Sequence, residues 1–65
     1  PAVMSAANEV AVAAFLAGSI PFPTIVETVA RVVDEHEPPT GVASVVQLDR
    51  ADTWARERTA ALLAR

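Results

Sequence analysis

The sequence predicts an all-α fold, a small helical bundle of three longer helices and one short helix in one domain over residues 1–65. Three observations carry that expectation. Apolar residues recur at helical spacing along most of the chain, and no segment alternates with period two for long enough to make a strand. Proline and glycine gather in two places, around "SIPFPT" and in "HEPPTG", and both stretches punctuate helices. The composition is 52% hydrophobic, drawn mostly from Ala and Val with Phe15, Phe22 and Trp54 as the aromatics, which suits a small-residue, helix-leaning core.

Helix 1 is expected to start near Pro1 or Ala2, where proline is tolerated because its missing N–H would have no partner anyway. Gly18 is its left-handed terminator. Between them Val3, Ala7, Val10 and Ala14 follow helical spacing, while Met4, Ala11, Phe15, Val12 and Leu16 fill the remaining directions. Ser5, Asn8 and Glu9 alone interrupt, sharing one face at i, i+3 and i+4. A helix apolar nearly all round is normally buried all round, yet a domain of this size buries only ~60% of the surface its unfolded chain exposes.

Pro21 and Pro23 hold "SIPFPT" extended, because the residue before a proline is pushed from helical angles, and Phe22 is expected to pin this linker to the core. Thr24 with Glu27 forms a capping-box pattern opening helix 2, Ile25 to about Glu35. Its buried stripe is Ile25, Val29, Val32 and Val33, with Glu27 and Arg31 paired at i, i+4 on the wet side. "HEPPTG" then makes a loop within the domain. Ser44 caps a short helix 3, Val45 to about Asp49, and either Asp49 or Asp52 caps helix 4. That last helix runs to about Ala64 with Trp54, Ala55, Arg58, Ala61 and Leu62 on one side.

Composition also excludes several classes of function. The chain has no cysteine, so it has neither a disulfide framework nor a thiolate metal site, in keeping with a reducing cytoplasm. Eight acidic residues against five arginines give a net charge of -3, which repels phosphate backbones, so no nucleic-acid partner is expected. The longest uncharged stretch, Val10 to Val26, is broken by Gly18, Ser19, Pro21 and Pro23, whereas a membrane span needs ~20 continuous apolar residues. No basic flank precedes the apolar run, so it does not read as a signal peptide.

Chemistry needs a nucleophile with a base, a metal cluster or a phosphate-cradling glycine loop, and the chain offers one histidine, two isolated glycines, no lysine and no tyrosine. His36 reads as part of a solvated helix end, since a metal would need ligand partners that the spacing does not supply. Asp34, Glu35 and Glu37 crowd the same C-terminus, where each negative charge costs ~0.3–1 kcal/mol. Water and salt can offset them, as can Arg56 or Arg58 of the last helix or a basic patch on another domain. Asn8 and Glu9 are expected to bond to backbone groups of a neighbouring loop or helix end, because burial without partners costs ~1–3 kcal/mol per group. Trp54 is a core or rim aromatic whose indole N–H finds a carbonyl or water.

The run "AANEVAVAAFLAG", then Ile20, Phe22 and Ile25, and finally "DTWARER" from Asp52 to Arg58, resemble the C-terminal helical domain of the 1-deoxy-D-xylulose 5-phosphate reductoisomerase family. The resemblance covers essentially the whole chain and is strongest from Ala2 to Ile25. It implies an oxidoreductase of non-mevalonate isoprenoid biosynthesis that makes 2-C-methyl-D-erythritol 4-phosphate with NADPH and a divalent cation, Mg or Mn. It also implies a cytoplasmic homodimer in which this domain supports a catalytic domain of the same polypeptide. The family's metal ligands and nucleotide glycines have no counterpart among these residues, so no catalytic, cofactor-binding or metal residue is carried over. Ser5 stands where the family usually has Asn, and Pro21 with Pro23 stiffens the linker. If residues 52–56 match the family's Asp-x-x-Ala-Arg pattern, Asp52 is the better cap for helix 4. The family also gives the apolar helix 1 a purpose, because one side of it, including Asn8 and Glu9, is then expected to face the rest of the enzyme. The competing reading is a free-standing helical protein-interaction module that binds a partner helix or self-associates through helix 1.

Overall fold

The computed structural model describes residues 2–36 and 44–64. They form three helices, α1 (Ala2–Leu16), α2 (Phe22–Glu35) and α3 (Val45–Leu63), and among the described residues there is no strand. The all-α expectation holds, with one change: the short helix and the last helix are a single helix of 19 residues. Nothing between residues 45 and 64 is glycine or proline, so nothing there stops a helix once it has started. Neither Asp49 nor Asp52 acts as a cap. Asp52 instead lies inside α3, where its Oδ2 accepts a 2.9 Å hydrogen bond from Nε of Arg56 one turn on.

Each helix end has an identifiable cause. α1 closes on Gly18 at φ +80°, with the Gly18 N–H donating to the Phe15 carbonyl at 3.0 Å and the Ser19 N–H to the Ala14 carbonyl at 2.9 Å. That pair of bonds is the Schellman arrangement, and its left-handed turn residue favours glycine, which has no Cβ to strain. α3 opens with a reciprocal cap: Oγ of Ser44 accepts from the Gln47 N–H at 3.1 Å, and Oε1 of Gln47 accepts from the Ser44 N–H at 2.8 Å. α2 departs from the expected Thr24 and Glu27 capping box. It starts three residues earlier, after Pro21 in an extended conformation and without a side-chain cap bond. Pro23 falls in the first turn, where a residue lacking N–H is no loss, and the Thr24 N–H already donates to the Pro21 carbonyl at 3.1 Å. Thr24 is thus inside the helix rather than ahead of it. The linker shrinks to residues 19–21, and the "HEPPTG" loop, apart from His36, lies outside the described residues.

α1 packs on both other helices and runs antiparallel to α2, while α3 returns antiparallel to α2. The assembly is a slim body of 38 × 17 × 17 Å. Its core is Val3, Ala6, Ala7, Val32 and Ala55, with the partly buried Val29, Ala51, Trp54 and Leu62 packed against it. Ala11 and Ile25 are also buried. Two threonines join them, Thr28 and the fully buried Thr59, whose hydroxyl donates to the Ala55 carbonyl at 2.6 Å. On α3 it is therefore Thr59 that fills the buried stripe, while Ala61 is exposed and Arg58 is only half-buried.

Two expected core residues lie outside. Val33 is exposed because the α2 stripe turns through Ile25, Thr28 and Val32. Phe22 meets the edge of Phe15, ring centroids 5.5 Å apart at 70°, but remains 63% exposed; as the first residue of α2 it sits at the end of the bundle, beyond the core. Residues 44–50 are exposed throughout, so the first two turns of α3 project past the packed body. No helix among the described residues is long and apolar enough to cross a membrane.

Candidate functional site

Among the described residues charged side chains converge at two places, and both are ties between helices. Arg58 of α3 reaches the C-terminus of α2 and grips Glu35 with one edge of its guanidinium, Nε to Oε1 at 2.6 Å and Nη2 to Oε2 at 3.0 Å. Nε of Arg31 donates to the same carboxylate at 3.0 Å. Two cations on one carboxylate, one of them forked, favour its charged form, and the Glu35 pKa falls to about 2, chiefly through the Arg58 hydrogen bonds and then that of Arg31. The charge crowding expected at this helix end is thus met by Arg58. Arg31 pairs with Glu35 and not, as expected, with Glu27. Glu37 lies outside the described residues.

The second tie is centred on Arg56, which bonds to Asp52 in its own helix and through Nη2 to Glu9 of α1. Both bonds raise the Arg56 pKa, that to Asp52 most. Glu9 therefore reaches a side chain of α3 rather than a backbone group. Trp54 is half-buried against the core as expected, and its outer ring face lies 5.6 Å from the His36 ring at a tilt of 36°. His36 itself ends α2, its N–H on the Val33 carbonyl at 3.3 Å.

The remaining feature is a groove of about 460 Å³ on the face of α1 and α2 turned away from α3. Met4, Ser5 and Asn8 form one wall and Ile25, Val26, Val29, Ala30 and Val33 the other. It brings together two of the three polar residues that interrupt α1, leaving Glu9 on the α3 side. Among the described residues no hydrogen bond reaches the Asn8 or Ser5 side chain. The groove is a surface for apolar contact with two polar groups on one wall, and it holds no acid, base or nucleophile pair.

Nor do these residues fit the groups that the reductoisomerase resemblance implies. No set of three His, Asp or Glu side chains that could hold a metal occurs among the described residues. Glu9, Glu35 and Asp52 are all committed to arginines. A nucleotide phosphate needs a glycine-rich loop at a helix N-terminus, whereas Gly18 ends a helix and Gly41 stands alone.

The sequence model of the DXP reductoisomerase C-terminal domain matches residues 1–58. The chain belongs to that family. Among curated relatives it is 54% identical over 65 residues to the 1-deoxy-D-xylulose 5-phosphate reductoisomerase of Beutenbergia cavernae, covering 98% of this chain and 16% of the relative. The enzyme of the same name from Geobacter metallireducens is 51% identical over 63 residues, 97% of this chain and 16% of the relative. That of Streptomyces coelicolor is 52% identical over 66 residues, 98% and 16%. The chain thus spans about a sixth of the length of these relatives. No solved structure matches it.

Thr28 and Thr59 were missed because threonine reads as polar, although both sit at helical spacing from buried neighbours, Thr28 three residues after Ile25 and Thr59 four after Ala55.

Proposed function

We propose that the chain is the non-catalytic supporting domain of an NADPH-dependent 1-deoxy-D-xylulose 5-phosphate reductoisomerase. The complete enzyme, a cytoplasmic homodimer using a divalent cation, Mg or Mn, would make 2-C-methyl-D-erythritol 4-phosphate for isoprenoid synthesis by the non-mevalonate route. The observation that carries this reading is the family match along nearly the whole chain, joined to relatives that continue for several times its length. The domain's part in it is mechanical. Its three helices pack on one another, with Arg58–Glu35 and Arg56–Glu9 pairs linking α3 to the other two, which gives a body whose apolar groove presents one surface to the catalytic domain.

A free-standing interaction module is less well supported, since the identity of 50% and more extends over helices that such a module would not need to keep in this family's pattern. The test begins with the coding DNA before the Pro1 codon. An open frame encoding a glycine-rich nucleotide-binding domain and a carboxylate metal site, whose product oxidises NADPH only when given 1-deoxy-D-xylulose 5-phosphate and the cation, is the expected result. A start codon immediately upstream, or a longer product without that activity, overturns the proposal.

A further inference from the structure

The chain has one histidine and one tryptophan, and the fold sets them ring to ring. His36 closes α2 and Trp54 stands midway along α3. Their ring centroids are 5.6 Å apart at a tilt of 36°, and both residues are half-buried. Beside them Glu35 takes its hydrogen bonds from Arg58 of α3. The end of α2 is therefore joined to α3 by two neighbouring residues, one through an ion pair and one through a ring.

A proton changes the second of these contacts and leaves the first alone. Neutral imidazole on indole is an ordinary aromatic contact, whereas imidazolium within about 6 Å of an indole centroid is a cation held by the ring face. Histidine is the side chain whose ordinary titration covers about pH 5 to 8, and the chain has no cysteine to titrate beside it. Glu35, with its pKa of about 2, stays ionised across that range, and the guanidinium groups of Arg31 and Arg58 stay charged on it.

The other charges near the ring pair are few. On α2 there is Asp34, and the negative end of the helix suits a cation at this position. On α3, Arg50 and Glu57 lie about one turn to either side of Trp54 and oppose each other in sign. α1 carries no charged side chain before Glu9, which is held by Arg56. Glu37 follows in sequence, outside the described residues.

We propose that His36 and Trp54 form a proton-operated latch between the end of α2 and the middle of α3, closed more firmly when the imidazole carries its proton. The Glu35–Arg58 pair holds the joint at all working pH values, and the ring pair sets how the joint responds to protons. The domain thereby gains a sensor of mild acidity, a property separate from its supporting role.

Hydrogen exchange of the complete polypeptide tests the latch, read by mass spectrometry on the peptide that carries Val32 to His36. Exchange is followed at about pH 5.5 and about pH 8, on either side of ordinary histidine titration, with times scaled for the intrinsic amide rates. In the parent, protection of this peptide is expected to be about twofold to fivefold higher in acid, the equivalent of roughly 0.5–1 kcal/mol for a cation on an exposed aromatic face. His36→Gln, which keeps a polar side chain but takes up no proton, should show the same protection at both pH values. Trp54→Leu should also lose the difference. Trp54→Phe, which keeps a ring with a weaker face, should retain only part of it, and this variant decides the matter if Trp54→Leu does not fold. A parent without the difference, or with more protection at the higher pH, overturns the proposal. So does a difference that survives in His36→Gln, because another group then senses the proton. A difference undiminished in Trp54→Phe and in any folded Trp54→Leu assigns the effect to the helix end alone and overturns the latch as well.

Discussion

Val32→Ala should be a damaging truncation at the centre of the core. Val32 has no exposed surface and is the largest fully buried aliphatic side chain. Removing two methyl groups forfeits about 1.6 kcal/mol of transfer free energy at ~0.8 kcal/mol per group. The hole left is roughly 50 Å³, which at ~24 cal/mol per Å³ adds up to about 1.2 kcal/mol if nothing moves in. Little can, because its buried neighbours are Val3, Ala6, Ala7 and Ala55, and alanine has no rotamer with which to fill a gap. The expected loss is therefore close to 3 kcal/mol, against a total of roughly 3–10 kcal/mol for a domain of this length. Urea unfolding of the chain followed by far-ultraviolet circular dichroism measures it, with Val26→Ala at an exposed position as the control, expected within about 0.5 kcal/mol of the parent. A loss below about 1 kcal/mol for Val32→Ala, or equal losses for the two variants, would refute the claim that the alanine walls are rigid.

Three further outcomes are expected. Gly18→Ala should cost about 1–2 kcal/mol purely through the φ of +80°, since an added Cβ meets nothing within 4 Å; Gly18→Asn, which tolerates that region better, should cost less in the same urea titration. Ser44→Ala breaks the reciprocal cap of α3 and should lower stability by about 1 kcal/mol, with amide exchange rising first at Val46 and Gln47. Arg58→Met should raise the Glu35 pKa, read by NMR, from about 2 part of the way toward 4.5, the remainder being held by Arg31. Because the folded value lies below the unfolded one, Glu35 supports the fold above pH 4.5 and loses that role as pH falls toward 2. Acid unfolding of the parent should show a contribution in that window that the variant lacks.

Helix existence and type were legible from spacing alone, and so were the Gly18 stop and the Ser44 start, because each is a local backbone event with its own residue chemistry. The break expected between Val45 and Asp52 was not real, because aspartate is a cap only where the chain is already turning; with a well-capped start at Ser44 and Arg56 one turn away, Asp52 is an ordinary helix residue. The α2 start was misplaced for a related reason. Thr24 and Glu27 have capping spacing, but Pro23 can occupy the first turn without losing a bond, so the helix has room to begin sooner. What sequence could not supply was partner choice. Arg56 and Arg58 are equivalent in composition and two residues apart, so they point about 200° apart on a helix, and tertiary packing alone decides that one meets Glu9 and the other Glu35. The groove was foreshadowed by an α1 with too much apolar surface, while its second wall depended on Val33 facing outward.

The distribution of side-chain size makes the strongest argument about what kind of domain this is. Among the described residues, four of the seven buried hydrophobic positions are alanine while Met4, Leu16, Phe22, Val26, Val33, Val45, Val46 and Leu48 are exposed. Small residues inside let the helix backbones approach closely, but at about 25 cal/mol per Å² they bury little area each. The large side chains that could contribute most are left on the surface. Such an arrangement leaves large apolar side chains available for further contacts, which supports the proposed reading of a domain within a longer enzyme. The three interhelical arginine hydrogen bonds on Glu9 and Glu35 link α3 to both other helices.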